Sequence, residues 1–364
     1  MIAPDGDRVV YWIGASASWN ALPVVEEMAP ALEAQASYLQ QGSGMPQCRH
    51  AIRQFGLKGY LTYLRRMASW SREYGTIDTY ARSLFLLDRT KELAVLKLHI
   101  AMYFILEQVL PVKRIGPSGA QQSGYRKRDR IDTRYMAWLA LMMDKDSGIN
   151  PRVNIISWTY DLQLEYALAT FRGHDKLGQL HKDAQVRIYP RPFAEETDYK
   201  MPPTLVRLNG VVGHSSMHGA TKVLYGEMAN DPNEAEAFII SLFKSYNGYD
   251  IEDADFMYSM VESLTFAWEN NSMGKTAREL GNMAMNKAKV LVVIGYSFPS
   301  FNRTVDKELC RTFYMNGVPG KRVLQQNKSM SAETFMSMMG QTTSTPIVSV
   351  ESNVDQFHVP SEFF

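Results

Sequence analysis

The sequence predicts an α/β fold, a Rossmann-like parallel sheet interrupted by a large all-helical insertion, with a second helical region further along. Three observations predict it. Six short apolar runs, rich in β-branched residues, each stop at small or polar residues. Helical patterns separate most of them, as crossover helices separate parallel strands. One long stretch, 41–149, carries helical spacing without strand signals.

The first run is Val9-Val10-Tyr11-Trp12-Ile13, and it stops at Gly14-Ala15-Ser16-Ala17-Ser18. Leu22-Pro23 then precedes a helical stretch over 24–39. Small residues let a ligand approach the backbone, and a helix N-terminus offers free N–H groups to a phosphate. A break follows at Gly42-Ser43-Gly44 and Pro46, and the spacing predicts helices over 77–87 and 92–110. The Leu and aromatic stripes of that segment read as core. Between two of its helices lies a Gly-rich basic loop with Arg126-Lys127-Arg128, whose charge suits nucleic-acid phosphates. A solvated surface loop is the other reading.

The strand pattern returns at 153–158, 204–208, 290–294, 322–327 and 346–350. The stretch 222–286 reads as helical and acidic, with Asp250, Glu252, Asp253 and Asp255 clustered. That cluster lacks EF-hand spacing and reads as a solvated face or an oligomer contact. Residues 329–344 are rich in Ser and Met. The organisation predicted is a Rossmann domain from 1–40 and 150–364, with a helical insertion at 41–149.

Composition narrows the function classes. The chain has 364 residues, with 39 Lys+Arg against 38 Asp+Glu, a net charge of +1. Whole-protein charge therefore does not hold a polyanion. The 45% apolar content supports a sizeable core. Two cysteines, Cys48 and Cys310, build neither a disulfide framework nor a four-cysteine zinc site, so no zinc is expected. The start, MIAPDGDRVVYWIG, has no basic segment followed by an apolar run. No run reaches the roughly 18 apolar residues of a membrane span. The expectation is a soluble, cytoplasmic protein with no membrane partner.

In an open α/β sheet, ligands bind beyond the strand carboxyl ends. The residues there are Gly14, Ala15 and Ser16; Thr159, Tyr160 and Asp161; Asn209 and Gly210; Gly295, Tyr296 and Ser297; and Asn327. The set is small, polar and, apart from Asp161, uncharged. It suits a nucleotide, with N–H groups for phosphate and Ser and Asn for ribose hydroxyls. GxGxxG, the P-loop, HExxH and the GxSxG elbow are all absent.

The order GASAS with a nearby LP, SWTYDLQLE, VRLNG, VVIGYSFPSFNR and VLQQN resembles the SIR2-like family, in its divergent bacterial branch that cleaves NAD in antiphage defence. The resemblance covers about 8–40, 150–215 and 287–330. It implies NAD as substrate or ligand and a SIR2-like fold. It sets aside the deacetylase branch, whose zinc module needs four cysteines. Gly14, Ala15 and Ser18 match the family's phosphate loop, while Ser16 replaces its central Gly and needs a negative φ to leave room for a pyrophosphate. Gly295 and Ser297 match the loop on the adenosine side, and Asn327 the adenine-ribose position. Asp161 matches the acidic residue of the second motif. The family's catalytic Asn and His are Thr159 and Asn209 here. Thr presents no amide and Asn accepts no proton near neutral pH. His214 and His218, just downstream, are substitutes or ordinary loop residues. Trp158 is a core residue or a stacking surface.

Three functions follow from these readings. The first is an NAD-cleaving defence enzyme. The second is a catalytically degenerate nucleotide-binding or scaffold subunit working with an ATPase, helicase or nuclease. The third is a nucleic-acid-associated partner that uses the basic loop. The resemblance further implies a homo-oligomer or a separate protein partner.

Overall fold

A computed structural model describes residues 7–41, 57–110, 130–144, 148–174, 177–182, 187–190, 204–212, 239–243, 246, 261, 263–327, 332–339, 347–351 and 353–363. The basic loop, His214 and His218, the Asp250–Asp255 cluster, Cys48 and most of 329–344 lie outside them.

β1 (Arg8–Ile13) leads to α1 (Met28–Gln41), then α2 (Lys58–Glu73), α3 (Ile77–Leu86), α4 (Thr90–Val109) and α5 (Thr133–Met142). A two-residue ladder, β2 (Met143–Asp144) with β3 (Gly148–Ile149), precedes β4 (Val153–Ser157). After it come α6 (Gln163–Phe171), α7 (Leu177–Lys182), β5 (Ile188–Tyr189) and β6 (Leu205–Arg207). The chain continues through α8 (Ser272–Met285), β7 (Ala288–Ile294), α9 (Arg303–Met315), β8 (Arg322–Gln326), α10 (Ala332–Met339) and β9 (Ile347–Glu351).

Seven strands form one sheet in the order β5-β6-β4-β1-β7-β8-β9, with every adjacent pair parallel. Six match the predicted runs. The seventh, β5 at the edge, is two residues long, too short to show alternation. From β1 the chain builds outward on one side through β4 and later on the other through β7. The end of β1 is thus the point where strand order reverses, the usual ligand site of such sheets.

Both sheet faces are buried, which is why the strands read as continuous apolar runs rather than alternating ones. Val9, Tyr11 and Ile13 share one core with Trp138 and Leu139 of α5 and with Leu164 and Leu168 of α6. Val10 and Trp12 point to the other, with Leu280 of α8, Phe313 of α9 and Phe335 of α10. A third core joins α1 to α2, α3 and α4, and takes in Leu162 and Tyr166 behind β4 and Val211 behind β6. The helical region is therefore anchored at the carboxyl end of the sheet. Each fully buried Leu, Ile or Phe in that core contributes roughly 1.5–3 kcal/mol.

Candidate functional site

The loop after β1 is built by exclusion of volume. Gly14 is extended (φ −110°), a conformation open to any residue, but a Cβ there would lie 2.4 Å from Tyr296 Cα. Gly295 has φ +61°, and its Cβ would lie 2.5 Å from the Ala17 nitrogen. The two loops thus interlock, each glycine making room for the other loop's backbone. Backbone bonds seal the contact: Gly14 N–H donates to Ile294 O (2.9 Å) and Ser16 N–H to Gly295 O (3.1 Å). Ala17 N–H donates to Gly14 O (3.0 Å). The amides of Ser16 and Ala17 are therefore engaged within the fold, and what approaches Gly14 is Tyr296. Ala15 and Ser16 are exposed. Ser16 lies in a 3-10 turn (Ala15–Ser18) and is not among the positive-φ residues, Asp88 and Phe298, so its side chain meets no backbone strain.

A buried ion pair fixes this loop from behind. Arg134 donates to the carbonyls of Ser16 (3.1 Å) and Ala17 (3.0 Å), and bonds Asp132 at 2.6 Å. Asp132 also caps α5 through the Arg134 N–H (3.1 Å) and accepts from Asn20 N–H (3.0 Å). Ser18 is buried beside the Tyr135 hydroxyl (3.3 Å) and lines neither cavity described below.

Two cavities meet over the interlock, sharing Ser16, Val24 and Gly295 in their walls. The first, about 230 Å³, lies over β7 and β8 and is lined by Trp19, Arg134, Gln326 and Asn327. The second, about 170 Å³, lies over β4 and β1 and is lined by Thr159, Tyr160, Asp161 and Ser297. Its far wall comes from the helical region: Met67 of α2, Ile77 and Asp78 of α3, and Tyr103 and Phe104 of α4. Of the predicted site residues, Ala15, Ser16, Thr159, Asp161, Gly295, Ser297 and Asn327 line this cleft, and Gly14 lies beneath it. Asn209 lines neither cavity. Its amide donates to Trp158 O (3.1 Å), and its buried Oδ1 has no partner among the described residues.

Beneath Thr159 lies a charged cluster that the motif reading missed. Arg207, 1% exposed, donates to both carboxylate oxygens of Glu165, and more weakly to Thr159 O and Oγ1 (both 3.4 Å). Thr159 Oγ1 also meets Ser157 Oγ at 2.9 Å. Asp161, 5% exposed, accepts from Gln163 N–H (2.9 Å). Burial raises the pKa of Asp161 and of Glu165, with the Arg207 charge opposing. The signal was present in TLVRLNG, where one Arg interrupts an apolar strand.

A second cluster lies behind the loop after β7. Asp306 accepts from Tyr296 OH at both oxygens (3.0 and 2.9 Å) and from Trp158 Nε1 (3.1 Å). Trp158 and Trp12 each stack on Tyr296, with centroids at 6.1 and 5.8 Å. Trp158 is thus core, its edge reaching the second cavity. Burial pushes Asp306 well above the usual carboxylate range. Chemically, the cleft offers hydroxyls, amides and carboxyls around an apolar hollow, a setting for a polar ligand with flat parts.

Among the described residues, no three His, Cys, Asp or Glu side chains group to hold a metal, and no helix is long and apolar enough to cross a membrane. Comparison with family models, curated proteins and solved structures finds no match to this chain.

Proposed function

We propose that the cleft binds NAD and that the chain is a SIR2-like protein of antiphage defence that cleaves it to nicotinamide and ADP-ribose. The observation that carries this reading is the two-lobed cleft at the reversal of strand order, divided by Ser16 and Gly295. Each lobe accepts one half of a dinucleotide. The adenosine half lies beside Gln326 and Asn327, the pyrophosphate crosses at Ser16, and the nicotinamide ribose meets Thr159 and Asp161. Apolar walls from the helical region keep bulk solvent, though not a single attacking water, away from the reacting carbon, which strengthens charge stabilisation there. The protein works as a homo-oligomer or with a defence partner.

The test is nicotinamide release by the purified protein, with Asp161→Ala as control. Release that the control abolishes supports the reading, and no release in any assembly state defeats it.

One observation favours a second reading, a nucleotide-binding scaffold beside an ATPase, helicase or nuclease. Asn209 stands off the cleft and carries no base. On that reading NAD raises Tm without turnover, with a stabilisation of about 2.7 kcal/mol at about 100 times Kd.

A further inference from the structure

We propose that Asp78, brought to the cleft by the helical region, is its acid–base carboxyl: it takes the proton from the water that displaces nicotinamide from the ribose. The inference rests on the NAD-cleavage reading and supplies the base that Thr159 and Asn209 do not.

Elimination among the enclosed carboxyls, together with placement, singles out Asp78; Glu26, which also lines the cavity, is exposed. Glu165 is bound at both oxygens by Arg207, and Asp161 lies close to the same cation and accepts from Gln163 N–H. Asp78 lines the cavity that holds Thr159 and Asp161, yet has no ion-pair partner among the described residues. It sits in the first turn of α3, whose start is fixed by Thr76 Oγ1 accepting from Thr79 N–H (3.0 Å). Tyr160, next to Thr159 in the chain, donates its hydroxyl to Asp78 Oδ1 (3.4 Å). That contact joins the helical wall to the loop after β4.

The surroundings tune it. The titratable neighbours facing the cavity are Glu26, Tyr103, Tyr160, Asp161 and Tyr296; among the described residues no Lys, Arg or His lines it. Beyond Tyr160, Glu269 is paired with Lys97 at 2.7 Å. The residue keeps partial exposure, so protons can reach solvent, but enclosure of the carboxyl pushes its pKa up to about 6, with the Tyr160 bond opposing. A base of that strength is ionised at neutral pH and still accepts a proton.

The step balances without a further reagent. The water oxygen bonds to ribose C1′ as the C1′–N bond breaks. The bonding pair passes to the pyridine nitrogen, leaving neutral nicotinamide. The water proton goes to the Asp78 carboxylate and then to solvent.

The test measures nicotinamide release against pH, together with the NAD-induced rise in Tm, for the unaltered protein, Asp78→Asn and Tyr160→Phe. The unaltered protein is expected to lose activity as pH falls through about 6. Asp78→Asn is expected to lose about 100-fold or more in turnover, to lack that acid limb and to keep the Tm rise. Tyr160→Phe, lacking the bond that holds the carboxyl down, is expected to move the limb to higher pH. Turnover that ignores Asp78→Asn, a limb that Tyr160→Phe leaves in place, or loss of the NAD-induced Tm rise in Asp78→Asn overturns the role of Asp78 alone. No release by the unaltered protein at any pH defeats the NAD-cleavage reading and this role with it.

Discussion

Two carboxyl clusters are buried beneath the same cleft, and they differ in what surrounds the acid. On the β4–β6 side, Glu165 and Asp161 share a cation, Arg207, which bonds Glu165 at both oxygens. On the β7 side, Asp306 is 0% exposed, and among the described residues its carboxyl accepts from an indole N–H and a phenol hydroxyl and from no cation. The first cluster sets one cation, Arg207, against two carboxyls, and its charge opposes the rise that burial gives their pKa values. The second favours a protonated carboxyl. The carboxyl ends of one set of strands thus hold acids by two routes, with and without a cation, which differ in what mutation of the partner costs.

The most disruptive change is Arg207→Met. It strands two buried carboxyls, and about 3–5 kcal/mol of stability is expected to disappear near neutral pH. The loss shrinks as pH falls and the carboxyls take up protons, which urea melts at several pH values will show. A variant with unchanged stability would break the comparison at its ionic end.

Trp158→Phe removes one donor to Asp306 and is expected to cost about 1–1.5 kcal/mol in the same assay. It also removes a bond that holds the Asp306 pKa down, so the carboxyl becomes harder to ionise.

Asp306→Asn sharpens the contrast most, although its effect at low pH, where the carboxyl is protonated in both the folded and the unfolded chain, is smaller, within about 1 kcal/mol. The Asp306 pKa is raised by folding, so its contribution is present below the unfolded value near about 4 and is lost as pH rises toward the folded value. Asn has no such loss. The variant is therefore expected to gain on the unaltered protein as pH rises from about 4 to about 7. A parallel pair of stability–pH curves would show that Asp306 is not held protonated.

Asn209→Ala has the smallest expected effect. It removes the bond to Trp158 O, at about 1 kcal/mol or less because the unpartnered Oδ1 leaves with it, and it changes nicotinamide release little. Loss of release with an unchanged Tm would put Asn209 back in the reacting centre.

The strands of the sheet were legible because burial on both faces leaves a plain apolar signature in six runs. β5 was not, since two residues next to Pro190 carry no period. In the site, Gly14 and Gly295 were legible as small residues after strands, read as room for a ligand; the fold shows that what each makes room for is the opposite loop. Thr159, Asp161 and Asn327 were found from their places after strands. Asp78 was not, because inside a helical stripe nothing distinguishes a solvated carboxyl from one turned to a cavity; only the packing of α3 against the loop after β4 does so. Arg207 and Glu165 pair across 42 residues of chain, a relation that no local pattern carries.

The interlocked glycines make strand length a measured quantity. Ile13 stands opposite Ile294, which sets Gly14 beside Gly295, and an irregularity between Arg8 and Val9 sets the phase of that pairing. Slip either strand by one residue and a Cβ arrives where the opposing backbone already sits, while every side chain changes face. β1 and β7 thus work like the two scales of a vernier, aligned at a single mark. Single-residue insertions or deletions anywhere between Val9 and Ile13 should be rejected by the fold, however conservative their chemistry.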